Sequence, residues 1–382
     1  MRTLLLGVMA FFCIACAPSG KETAALLDKG FAEIMEKHNA VGLMVAAVKD
    51  GEIVYNASYG YKDLENQVPV GEDDKLRIAS ISKTFVATAI MQLVEQGKVD
   101  LDADISDYMG FSLRNPAYPD IPVTVRMLLS HTSSMSDSNG YFSFDDFNPS
   151  VSPTWQKAWN SYEPGSRYQY CNLGYNTLGA IIEIASGERF DVYIKKHIFE
   201  PLGVDASHNV MDFDPEQLIG IYRYVSGNGS FVESDAYSLD PADLENYRMG
   251  YSTTLFSPTG GVKISAKDLA KVMIMHMNKG AVGDVRIISQ ESSSLMQSEI
   301  TPTNYEGESY GMAMISTNDM FGDVRAVGHD GLALGAYTAM YWVKGGDFGV
   351  VVMTNGCSGK TDKAFANILC ESAQLLKLHL NR

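Results

Sequence analysis

Apolar and polar positions change period several times along the chain. Leu27, Phe31, Ile34 and Met35 fall on one face of a helical register, so Ala24–His38 is predicted to be an amphipathic helix. Gly42–Val48 and Ile53–Tyr59 are strand-like runs joined through Asp50-Gly51, a pair that accepts φ > 0 at both positions and marks a tight hairpin. From Ser80 to about Ile198 the pattern is mostly helical. A helix apolar nearly all round runs from near Ser80 to about Gln96, with Ile81, Phe85 and Ala89 on one side and Ala87, Ile90 and Val94 on another. Such a helix belongs inside a molecule, not on its surface. Thr124–Leu129 and Gly174–Ala185 are further helices, the latter stopped by Gly187. Strands return at Val324–Val327, Ala336–Val343 and Phe348–Thr354, the last two joined through Gly345-Gly346 as a second tight hairpin. Lys363–Leu380 closes the chain as an amphipathic helix carrying Phe365, Ile368, Leu369, Leu375 and Leu376.

This order predicts an α+β sandwich: one antiparallel sheet flanked by N- and C-terminal helices, with a mostly helical inserted lobe. The sheet lobe covers about 24–75 and 258–380, the helical lobe about 76–257, and a site between them is expected. Two stretches lack periodicity. Ser136–Glu163 carries Tyr141, Phe142, Phe144, Phe147, Trp155, Trp159 and Tyr162. It is long enough to imply either a lid over a substrate or a loop pinned to the body by its aromatics. Asp212–Ser257 is polar and acidic.

With 382 residues, 46% of them hydrophobic, the chain can bury a sizeable core. Its formal net charge of −16 excludes the basic footprint that nucleic acid requires. The N-terminus has its own pattern. Arg2 precedes an apolar run from Leu4 to Ala15, shorter than the ~20 residues of a spanning helix, as in an export signal. The ending Cys13-Ile14-Ala15-Cys16 resembles a bacterial lipoprotein signal with Cys13 in place of the usual leucine; an ordinary signal peptide is the other reading. The first implies a signal over 1–16, lipidation of Cys16, a tether over 17–23, and a periplasmic enzyme held at the membrane by that lipid. Cys171, Cys357 and Cys370 remain, an odd count that builds no disulfide framework, although Cys357 and Cys370 could pair. No Cys/His cluster has zinc spacing, and no cofactor is implied.

The chemistry lies in three short stretches. Ser80 and Lys83 are one helical turn apart, which puts both side chains on one face. A lysine beside a serine can activate it without a histidine. Tyr170-Cys171-Asn172 lies just before a helix, and His329-Asp330-Gly331 at the junction of two late strands. Together S-x-x-K, Y-x-N and H-x-G resemble the serine β-lactamase and penicillin-binding-protein family, in its class C-like branch. LLSHTSSM is similar to the family's LL-x-HTSG-L with Ser134 for glycine, and GKVDLDADISDYM, SPTGGVKISAKDLAKVM and YGMAM also match in order, so the resemblance runs from about residue 24 to 380.

Physics supplies roles beside it. Ser80 at a helix start sits where negative charge is favoured. Lys83, desolvated, would lose basicity and could accept a proton; Tyr170, a phenol beside a lysine, is the other candidate base and could later protonate the leaving group. The residues alone leave that choice open. Asn172 could fix Lys83 and a substrate amide. Gly331 would let its strand approach the substrate closely. The resemblance implies an oxyanion hole from the backbone N–H groups of Ser80 and Leu332. His329 is charged only when protonated, and the resemblance implies that H-x-G in place of K-T-G points away from an efficient β-lactamase. It favours a peptidase, amidase or esterase acting on D-amino-acid substrates, peptidoglycan-derived ones among them. A β-lactamase proper, or an inactive homologue that binds cell-wall fragments, are the alternatives. His131 and Arg167 are expected to be structural, Cys171 buried and inert, and Ser136–Asn139 a turn.

Overall fold

The computed structural model describes residues 20–362 and 364–381. Cys16, the export signal and the first part of the tether lie outside the described residues.

The fold is α+β, built on a nine-stranded antiparallel sheet. Chain ends meet in its middle. β1 (Gly42–Lys49) pairs on one side with β2 (Glu52–Asp63), then β3 (Val68–Pro69). On the other side follow the C-terminal strands, in space β9, β8, β7, β6, β5, β4. These are β4 (Thr301–Pro302), β5 (Ser309–Tyr310), β6 (Ile315–Thr317), β7 (Ala326–Ala333), β8 (Ala336–Val343) and β9 (Phe348–Thr354). Asp50 and Gly51 adopt φ of 53° and 77°, the left-handed values that a two-residue hairpin demands. The β8–β9 connection is looser than expected, with four residues, Lys344–Asp347, between the strands.

Both faces of the sheet are covered, and alternation assigns each residue to one of them. Leu43, Val45 and Ala47 of β1 and Val350 and Val352 of β9 meet α1 (Gly20–His38) and the C-terminal helix α5 (Asn367–Leu380) through Leu27, Phe31, Ile368, Leu369 and Leu376. Met44, Ala46 and Val48, with Val351 and Met353, face the opposite core. There they join α2 (Ser82–Glu95) and α4 (Ala266–Met277), along with α3 (Asn172–Ser186). Every residue of α2 from Ser82 to Leu93 is buried, which is why its sequence shows no polar face.

Several boundaries differ from expectation. α1 starts at Gly20, so residues 20–23 are helical. α5 starts only at Asn367, while Phe365 packs in the core ahead of it. β7 extends to Ala333, which places His329, Asp330 and Gly331 inside a strand rather than at a junction. The aromatic stretch 136–163 forms only single 3-10 turns. Phe144, Phe147 and Trp159 are buried as anchors, whereas Phe142 is 59% exposed at the rim of a cavity. Within 212–257 a small hairpin pairs Tyr222–Val225 with Ser230–Glu233. The possible Cys357–Cys370 disulfide is not formed.

Candidate active site

Three chain segments meet at one amine. Lys83, fully buried at the start of α2, places Nζ 3.1 Å from Ser80 Oγ, 2.9 Å from Asn172 Oδ1 and 2.8 Å from the Thr259 carbonyl oxygen. Ser80 lies in a 3-10 turn, Ala79–Ile81, that leads into α2 instead of inside the helix itself. A neutral amine has two hydrogens and one lone pair. Asn172 Oδ1 and Thr259 O can only accept, so the lone pair is left facing the Ser80 hydroxyl. Burial pulls the Lys83 pKa down to about 7, against the opposing pull of Asp137, Cys171 and Asp330.

The surroundings fix that amine in place. Asn172 Oδ1 also accepts from Thr259 Oγ1 at 2.6 Å, and Asn172 Nδ2 donates to Asp137 Oδ2 at 2.9 Å, which settles the amide's orientation. Asp137 further accepts from the backbone N–H groups of Asn172 and Leu173, at 3.0 and 2.9 Å. A carboxylate from a distant loop thus caps α3, whose first turn has no cap of its own. The expected turn at Ser136–Asn139 exists as a 3-10 turn, but its aspartate matters more than its shape. Asp137→Asn turns one acceptor end into a donor facing donors, and should cost about 1–3 kcal/mol of stability. Loss of its negative charge should also move the acid limb of the pH–rate profile to lower pH, because Asp137 supports protonated Lys83. Thermal unfolding and kcat/KM against pH check both.

Tyr170 faces Ser80 from the other side and shares a hydrogen bond with its hydroxyl; its ring centroid lies 4.8 Å from Lys83 Nζ. Its phenol does not ionise more readily beside the lysine, as expected from sequence. Burial drives its pKa well above the ordinary value, and Tyr168, Asp330 and Tyr175 add to this. His131 packs behind Tyr170, ring centroids 4.2 Å apart, and its Nδ1 accepts from Cys171 N, a structural role. Arg167 lies over the Tyr162 ring. Cys171 is buried and its thiol pKa is raised well above the usual value by burial, so it is inert.

His329 corrects the sequence reading. It is 2% exposed, with Nε2 3.1 Å from the Tyr310 hydroxyl and Nδ1 2.6 Å from the Asp330 carbonyl oxygen. Burial, with Lys83 adding to it, lowers its pKa to about 3. It is therefore neutral at any physiological pH and offers no switchable charge to a substrate. Gly331 also has a different neighbour from the one expected. A Cβ there would lie 2.3 Å from Ile78 O and 3.0 Å from Ser80 N, so the bare glycine admits the serine's turn against β7. Thr338 Oγ1 donates to Ile78 O at 2.9 Å and ties the same turn to β8. Leu332 follows with its side chain 61% exposed at the cavity. The partner strand β6 ends opposite Gly328, leaving the rest of β7 unpaired on that side among the described residues.

Ser80, Tyr170, Asn172, Thr259, His329 and Leu332 line a cavity of about 440 Å³ that also takes in Tyr141, Phe142, Tyr168, Glu308 and Asp330. That size suits a small molecule or a short peptide. No group of His, Cys, Asp and Glu among the described residues could hold a metal ion. Sequence reasoning missed Asp137, Thr259, Glu308 and Asp330 as contributors. Thr259 lay within the SPTGGVKISAKDLAKVM stretch, and Asp137 within the turn; nothing in the spacing marked Glu308.

The family model described as Beta-lactamase matches residues 27–373. "Penicillin-binding protein 4" of Amycolatopsis lactamdurans is 27% identical over 339 residues, 85% of this chain and 84% of that protein. Among solved structures, the octameric penicillin-binding protein homologue from Pyrococcus abyssi aligns with a TM-score of 0.73 at 27% identity, over 94% of this chain and 78% of that one. The D-amino acid amidase from Ochrobactrum anthropi, complexed with D-phenylalanine, has the same fold: TM-score 0.73, 21% identity, 94% and 99% covered.

Proposed function

Since this chain belongs to the beta-lactamase family and is a serine hydrolase of that type, we propose that it works through an acyl-enzyme on Ser80, cleaving D-amino-acid amides, peptides or esters. The observation that carries this is the Lys83 amine, its two hydrogens taken by Asn172 Oδ1 and Thr259 O and its lone pair on Ser80. Lys83 is the base. It accepts the Ser80 proton as Oγ attacks the carbonyl carbon, and the backbone N–H groups of Ser80 and Leu332 receive the oxyanion. Tyr170, kept protonated, passes its proton to the leaving group and recovers one from the Lys83 ammonium. Water then releases the acid. Arrival at the membrane through a lipid on Cys16 belongs to the same proposal.

A neutral Lys83 sets the pH dependence. Its pKa of about 7 makes kcat/KM fall tenfold per pH unit below that value and level off above it. A Tyr170 base would instead keep the rate climbing beyond pH 10. The profile decides between them.

A β-lactamase proper is the second reading, and the open cavity beside Ser80 supports acylation by a β-lactam as well. The experiment is a substrate panel of D-Ala-D-Ala peptides, D-amino-acid amides, short esters and nitrocefin, each run against Ser80→Ala. Fast nitrocefin hydrolysis with no amidase or esterase activity would replace the first reading with the second. An inactive binding homologue would show affinity without product.

A further inference from the structure

One wall of the cavity is acidic: Glu308 and Asp330 line it together with Tyr168 and Tyr170, Tyr168 feeling both charges and Tyr170 that of Asp330. Asp330, on β7, lines this wall with its carboxyl beside the Tyr341 side chain. Glu308 comes from the loop between β4 and β5, held there by Thr303 N donating to Glu308 O at 3.0 Å. Glu308 is only 8% exposed. Its Oε1 accepts from Thr303 Oγ1 at 2.8 Å, while Oε2 is buried with no hydrogen-bond partner. A buried carboxylate oxygen without a partner is costly, and the cost is removed by a proton or by a cation.

Three cations near the cavity have their hydrogen bonds and ion pairs elsewhere. Arg325, whose charge reaches Glu308, pairs with Glu299 at 2.8 Å and donates to Ser309 Oγ and the Gly307 carbonyl. Lys83 is held by Asn172 and Thr259. Arg77 sits at the other end of the cavity, donating to Gly260 O, Ala236 O and Ser257 Oγ. The two carboxyls also feel one another: burial first, then Asp330 among other groups, lifts the Glu308 pKa to about 7, and burial lifts that of Asp330 to about 6. Arg325 acts on Glu308 and Lys83 on Asp330, but neither outweighs burial.

We infer that Glu308 and Asp330 form a cation subsite for the leaving group, so that the enzyme cleaves amides or esters whose departing half carries an ammonium and disfavours a departing half that ends in a carboxylate. This rests on the proposed acyl transfer, in which Tyr170 faces the leaving group. Within it the substrate class narrows. A terminal D-alanine would bring its carboxylate toward two carboxylates, whereas a protonated amine would supply the missing partner.

Three thioesters with one acyl group and different thiols test this: 2-(dimethylamino)ethanethiol as the cation, 2-mercaptoethanol as the neutral case, and thioglycolate as the anion. Release is read with a thiol reagent. The expected order of kcat/KM is cation, neutral, anion, with at least a tenfold spread between the ends. Glu308→Gln and Asp330→Asn should each shrink the cation-to-anion ratio, and the drop should be lost at high salt less than at an exposed site. Equal rates for the three, or a preference for the anion, overturn the inference. Ser80 labelling by a fluorophosphonate is run in parallel. No labelling and no hydrolysis would instead bring down the acyl-enzyme reading. With labelling but no thioester hydrolysis, the three compounds are compared as competitors of labelling, and the same order is required.

Discussion

Ser80→Ala should lose covalent labelling by a fluorescent penicillin or a fluorophosphonate entirely, and its kcat/KM should fall by at least ~10⁴-fold. The size follows from how little else in the site can attack a carbonyl. Lys83 is buried with its hydrogens directed at Asn172 and Thr259, the Tyr170 phenol is held protonated, and Cys171 is buried as a thiol. Removing Oγ leaves the fold intact, since Ser80 is a rim residue of the cavity and not a helix cap. Thermal unfolding should therefore change little while turnover disappears. Labelling that persists in the variant would show that another side chain is the nucleophile.

Gly331→Ala should be the most damaging single-methyl change near the site. The added Cβ would stand 2.3 Å from Ile78 O, 2.5 Å from Thr338 Oγ1 and 3.0 Å from Ser80 N. Two of these are backbone atoms, so the turn must retreat from β7 as a unit. In the proposed mechanism the Ser80 and Leu332 N–H groups are the oxyanion donors; that retreat would pull them apart, and losing one such donor costs ~10²–10³ in rate. The Ile78–Thr338 hydrogen bond should weaken too, at about 1 kcal/mol. Measured kcat/KM near that of the unsubstituted enzyme would show that the turn's position does not set oxyanion geometry.

Much of this was legible in the sequence because the decisive signals were local. The strand alternation, the Asp50-Gly51 turn and the all-apolar helix each depend on neighbours within a few residues, and the structure has them. The one-turn spacing of Ser80 and Lys83 likewise fixes their meeting, at 3.1 Å. What was not legible depended on burial. From its type, His329 reads as a residue poised between charged and neutral. Only its enclosure beneath Tyr310 and Tyr170 makes it permanently neutral. Tyr170 failed in the same way, because desolvation outweighs the nearby amine. Glu308 and Asp137 were invisible for another reason: each acts on residues brought near by tertiary folding, and loop carboxylates are common.

The amine at the centre has a consequence for the life history of the chain. Its two acceptors lie 89 and 176 residues along the sequence from it, and one of them is main chain. In a partly folded chain Lys83 is an ordinary solvated lysine, protonated at neutral pH, and Ser80 is an ordinary alcohol. Nucleophilicity therefore arises late, as a property of the completed molecule. Folding itself works as the activating step, and any lesion that loosens the docking of the Thr259 segment should disarm the serine before it unfolds the protein.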